Sequence, residues 1–113
     1  MNEKSKIIKI CTPSVGDSLE SEIDPRFGRC KYFILVEIDN GKISNFKSVE
    51  NIGAMQGSGA GIGAVEQISK MGADVLITER VGPKSESMLK QLQIKIINDS
   101  GIIKDALERY INN

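Results

Sequence analysis

"YFILVEIDNGKISNFKSVE", residues 32–50, reads as two strands and the turn between them. Residues 32–38 are almost wholly apolar, so this segment is expected to be a buried strand. Asn40-Gly41 then supplies a two-residue type I′ turn, whose positive φ angles suit the twist of a hairpin. The segment from Lys42 to about Glu50 is therefore expected to fold back as an antiparallel partner.

Working outward from this hairpin, "KIIKICT", residues 6–12, is short, rich in isoleucine and followed by Pro13. It reads as a buried first strand ending at a loop. Downstream the period changes. Ala60, Ala64, Val65, Ile68 and Met71 recur at helical spacing, and Gly72 sits at the C-cap, which predicts a helix over roughly 59–71. "ADVLIT", residues 73–78, is a buried strand. Pro83 opens the next helix, with Met88, Leu89 and Leu92 on its apolar face. "IKII", residues 94–97, is another strand, and "NDSG", residues 98–101, offers side-chain caps to a last helix carrying Ile102, Ile103, Ala106, Leu107 and Tyr110. Strands alternating with helices imply parallel pairing through right-handed crossovers. Ligands of such sheets bind beyond the carboxyl ends of the parallel strands. That points to the loops 13–31, 51–58, 79–83 and 98–100.

The 113 residues suffice for one domain, expected over 1–113, with its own core. Fifteen basic residues balance fifteen acidic ones, so no global field favours nucleic acid or an anionic membrane. The N-terminus carries no signal pattern and no apolar run spans a bilayer, so a cytoplasmic protein is expected. Cys11 and Cys30 form no CxxC, and both are expected to be thiols. Histidine is absent, which removes the commonest general base and the commonest transition-metal ligand together.

Two loops carry unusual residues. Residues 53–68, "GAMQGSGAGIGAVEQI", hold glycines at 53, 57, 59, 61 and 63. "GAGIGA" meets the permissive dinucleotide pattern, but it follows a hairpin rather than the tight turn after a first strand. "VGPKS" lacks the first glycine of a P-loop. Two readings stay open: the glycines let the helix pack closely, or the N–H groups at Ser58 to Ala60 cradle an anion or cluster. The second loop, "DPRFGRCKYF", residues 24–33, offers Arg26 and Arg29 as bidentate anion ligands. Arg29 and Lys31 would favour a thiolate at Cys30. A solvated arginine pair with a small buried cysteine is the alternative, and Glu20, Glu22 and Asp24 read as a solvated loop. No Ser/His/Asp set, Cys/His pair or acidic cluster suggests an enzyme.

"DPRFGRCKYFILVEIDNGKI", "GSGAGIGAVEQI" and "ADVLITERVGPKSESMLKQLQIKII" resemble the dinitrogenase iron-molybdenum cofactor biosynthesis family, of the NifX and NifB C-terminal type, from about residue 7 to 111. The resemblance implies a three-layer α/β domain of ribonuclease H-like motif. Its sheet would have about five strands in the order 3-2-1-4-5, strand 2 antiparallel, with helices on both faces. It implies a non-enzymatic carrier of iron-sulfur or iron-molybdenum clusters or their precursors, exchanging cargo with a donor or acceptor protein. The cofactor-binding set is then Arg26, Gly28, Arg29, Cys30, Gly57, Ser58, Gly59, Gly61, Gly82 and Pro83, with Cys30 as the metal ligand. Where some relatives carry histidine before F-G-R and before G-A-G-I, this chain has Arg26 and Ser58. The competing reading is a metal-free module on the same scaffold that binds a small anion, a nucleotide or a partner.

Overall fold

The computed structural model describes residues 7–113. It contains β1 (Ile7–Ser14), a single 3-10 turn (Phe27–Arg29), β2 (Tyr32–Asp39), β3 (Lys42–Glu50), α1 (Ala60–Lys70), β4 (Val75–Thr78), α2 (Pro83–Gln91), β5 (Lys95–Asn98) and α3 (Ile103–Ile111). The sheet order is β3-β2-β1-β4-β5. β2 is antiparallel to β1 and β3, while β1, β4 and β5 are mutually parallel, as the alternating pattern required. Lys6 lies outside the described residues.

The hairpin turn has the expected geometry, with φ of 54° at Asn40 and 81° at Gly41. β3 forms one edge and is exposed along nearly its whole length. Lys42 and Lys47 on such an edge discourage pairing with another chain.

Alternation along the strands splits the core in two. On one face Cys11, Phe33, Leu35 and Leu76 meet Ala64, Val65 and Ile68 of α1 and Leu89 of α2. On the other, Ile10, Ile34, Val36 and Ile77 meet Ile103, Ala106 and Leu107 of α3. Three layers result. Each fully buried aliphatic side chain, such as Ile68 or Leu107, contributes roughly 1.5–3 kcal/mol as an upper estimate.

The helix ends show which local signals held. Gly72, at φ 83°, closes α1 in a Schellman motif. Its N–H donates to Ser69 O (3.0 Å), and Ala73 N–H donates to Ile68 O (3.1 Å). Gln93, at φ 61°, does the same for α2, with Gln93 N–H on Lys90 O and Ile94 N–H on Leu89 O. That motif ends α2 before Leu92, which is 43% exposed, and sends Ile94 into the core in its place. The predicted Leu92 contact is therefore corrected.

Two further expectations changed. β1 continues through Pro13, because the Pro13 carbonyl is turned to Asp24 N–H (3.0 Å). A residue's N and C=O point to the same side of a strand, so the missing N–H falls outside the β1–β2 ladder. α3 takes no side-chain cap: Ile102 is its N-cap. Its first-turn donors, Ile103 and Lys104, use Ser21 O and Leu19 O, both at 2.9 Å. Asp99, expected as a cap, instead pairs with Arg109 at 3.0 Å, and this hydrogen bond holds its carboxyl below the usual range.

Candidate anion-binding site

The carboxyl ends of β1 and β4 open onto a cleft of about 580 Å³. One wall comes from the 3-10 turn and its flank, Pro25 to Arg29. Another comes from Ala60 and Gly61 at the start of α1, and the third from Arg80 to Gly82 with Ser85 of α2. Two of the loops expected to carry function, 13–31 and 79–83, thus converge with the start of α1, while no residue of 51–58 lines this cleft. Loop 98–100 lies elsewhere: Asn98 and Asp99 line a separate cleft beside α3.

Glycine explains the convergence. A Cβ on Gly28 would lie 2.8 Å from Gly61 N and 2.9 Å from Ala60 C. The 3-10 turn therefore rests directly on the backbone of α1. A Cβ on Gly61 would lie 2.7 Å from Ser85 Oγ, which brings the N-termini of α1 and α2 side by side. These two glycines serve packing. Gly57, Gly59 and Gly82 are different, since a Cβ there meets nothing within 4 Å. Gly59 also needs its freedom, because it caps α1 at φ 74°.

Both helix ends lack a side-chain cap. The N–H groups of Ala60, Gly61 and Ile62 have no intrahelical acceptor, and on α2 Pro83 has no N–H, leaving those of Lys84 and Ser85. Two aligned dipoles and these donors favour an anion. Arg80 adds a guanidinium at the rim. Sequence reasoning did not single out Arg80 or Ser85, since only the fold brings 80–85 beside 26–29. Of the predicted set, Arg26, Gly28, Arg29, Gly61 and Gly82 line the cleft, whereas Gly57, Ser58, Gly59, Pro83 and Cys30 do not.

Three predicted roles are corrected by the geometry. Arg26 is committed to Asp24: its backbone N–H (2.9 Å) and Nε (3.3 Å) donate to Oδ1, and Nη2 donates to Oδ2 (3.3 Å). Asp24 is 2% exposed, not part of a solvated loop, and the guanidinium offsets the burial of its charge. Arg29 turns away from the cleft centre and donates to the carbonyls of Ala54 (3.1 Å), Gln56 and Gly57 (3.5 Å). Cys30 is fully buried. Its Sγ donates to Phe27 O (3.3 Å) and accepts from Asn51 Nδ2 (3.7 Å). Burial, then the Asp24 charge, pushes its thiol up to about 12, so no thiolate faces the cleft at neutral pH. Arg29 and Lys31, its neighbours in sequence, do not reverse that. Cys11 is shifted the same way by burial.

Among the described residues no group of three or more His, Cys, Asp or Glu could hold a metal ion. No helix there is long and apolar enough to cross a membrane. The donors at the cleft are N–H groups and guanidinium.

Fold and cleft together define a small mixed α/β domain that presents bare backbone and positive helix ends to an anionic ligand. The chain belongs to the dinitrogenase iron-molybdenum cofactor family, whose sequence model matches residues 6–113. It is 38% identical over 93 residues to an uncharacterized protein of Methanocaldococcus jannaschii, covering 82% of this chain and 75% of that protein. The fold is similar to the apo form of the orange protein from Desulfovibrio gigas, with TM-score 0.84, 31% identity and coverage of 96% and 91% of the two chains. It is also similar to a Thermotoga protein described as a NifB candidate, with TM-score 0.74, 28% identity and coverage of 94% and 89%. Family membership ties the chain to the biosynthesis or binding of the iron-molybdenum cofactor.

Proposed function

We propose that this protein is a non-enzymatic carrier of an iron-sulfur or iron-molybdenum type cluster or its precursor, receiving the cargo from, or passing it to, a partner protein. One observation carries the reading: two uncapped helix N-termini meet at a cleft where Gly82 leaves open space in place of a side chain. Bare backbone lets a bulky anion come close, and N–H groups can bond its sulfides without coordinating metal. The chain has no histidine, and no carboxylate is among the residues that line the cleft, so no side chain of the usual general-base types lines it. That supports carriage over catalysis.

The test is anaerobic titration with reconstituted iron-sulfur cluster and with extracted iron-molybdenum cofactor, reading absorbance and bound metal. Wild type and Cys30→Ala should bind alike and stoichiometrically, and Arg80→Glu should bind more weakly. No uptake by any of them would reject the carrier reading. It would favour a metal-free small-anion, nucleotide or partner-binding module, which the donor set also supports because none of the cleft's donors is a metal ligand.

A further inference from the structure

Arg29 stands between two clefts. On one side lies the site described above; on the other is a cleft of about 630 Å³ lined by Ala54 and Met55, with Lys31, Glu50 and Asn51 beside them. Arg26 and Arg29 belong to both. Arg29 forms no ion pair among the described residues. All its side-chain hydrogen bonds go to the carbonyls of Ala54, Gln56 and Gly57. Asn51 reinforces the junction from below. Its Nδ2 donates to Gly28 O (3.1 Å) and Cys30 O (2.9 Å), while its Oδ1 accepts from Gly53 N–H (3.1 Å).

We propose that Arg29 is a positioning residue that straps the 54–57 backbone beside the site, keeping the two clefts apart and so setting the size of anion admitted. The inference rests on the reading that the cleft takes an anion. A small anion can sit on the helix N-termini with the strap in place. A bulky cluster needs the space that the strap divides, and it offers Arg29 a charged acceptor in exchange for neutral carbonyls, the stronger of the two bonds. The arginine is then released from the loop by the ligand it admits.

Amide hydrogen exchange of the ligand-free protein decides the point. Ile52, Gly53, Ala54 and Gln56 donate within the loop or to Gln67, so their N–H groups report its closure. In Arg29→Met they should exchange at least about tenfold faster, with Ile68 in the core of α1 unchanged. Arg29→Lys should behave like Arg29→Met, because one ammonium cannot span the carbonyls that the fork reaches. Rates within about twofold of wild type in Arg29→Met would overturn the strap. A second arm uses inorganic sulfate and extracted iron-molybdenum cofactor as probes. Sulfate affinity should be unchanged in Arg29→Met and cofactor association faster; a sulfate affinity lowered about tenfold with unchanged exchange would make Arg29 a direct ligand instead. Faster loop exchange in a protein that takes up no cofactor would keep the strap and reject the carrier.

Discussion

Gly28→Ala tests whether the site is held together by backbone contact. The new methyl would lie 2.8 Å from Gly61 N, 2.9 Å from Ala60 C and 3.0 Å from Gly61 Cα. All three belong to the first turn of α1, so no flexible side chain can give way. Gly28 is not among the glycines with positive φ, so alanine there strains no torsion and loses less unfolded-state entropy, a gain of about 0.4–1 kcal/mol. Overpacking against backbone costs about 1–3 kcal/mol. The steric term wins, and a net loss of about 1–2 kcal/mol should lower the melting temperature by roughly 4–10 °C for a chain of this size. Gly57→Ala is the matched control: its φ is also not positive and nothing lies within 4 Å, so it should be neutral or stabilising by up to about 1 kcal/mol. Urea unfolding with an unchanged m-value reads both directly. If Gly28→Ala unfolds within about 0.5 kcal/mol of wild type, the close approach of the 3-10 turn to α1 is wrong, and with it the geometry of the cleft.

Thr78 is fully buried at the end of β4, and its hydroxyl has no hydrogen-bond partner among the described residues. Thr78→Val should therefore be neutral or stabilising by about 1 kcal/mol in thermal melts, and a clear loss of stability would reveal an unseen partner. Cys30 carries a pH signature. Its thiol is pushed up to about 12 in the fold against 9.0 for a solvent-exposed cysteine, so between those values the native state keeps a proton that the unfolded chain has lost. Stability from this group is complete below about pH 9 and is lost as pH rises toward 12. Alkylation of the folded protein at pH 8 should be slow, and Cys30→Ala should flatten the alkaline fall in stability; an equally steep fall in the variant would refute the assignment.

Much of the fold was legible because its signals are local. The Asn40-Gly41 turn fixes the hairpin whatever surrounds it, Gly72 closes α1 through its own conformational freedom, and Pro83 begins α2 because its missing N–H costs nothing there. Where sequence reading missed, distant residues had supplied an alternative. The donors of α3 found carbonyls of Leu19 and Ser21 rather than the Asp99 side chain. Gln93 accepted a left-handed conformation usually left to glycine, which ended α2 a residue before Leu92.

The site divides in the same way. From the residues alone it follows that histidine chemistry is impossible, that two loops are rich in glycine and arginine, and that the ends of parallel strands would gather them. The succession of strands and helices follows as well, because hydrophobic period and turn chemistry are written residue by residue, whereas the sheet order came from the family resemblance. Only the tertiary structure decided what each group does. Gly28 and Gly61 became packing surfaces while Gly57 and Gly82 faced open space, a matter of which backbone lies opposite. Cys30, flanked in sequence by Arg29 and Lys31, is a buried thiol beside Asp24, because protonation follows burial and spatial neighbours rather than chain neighbours.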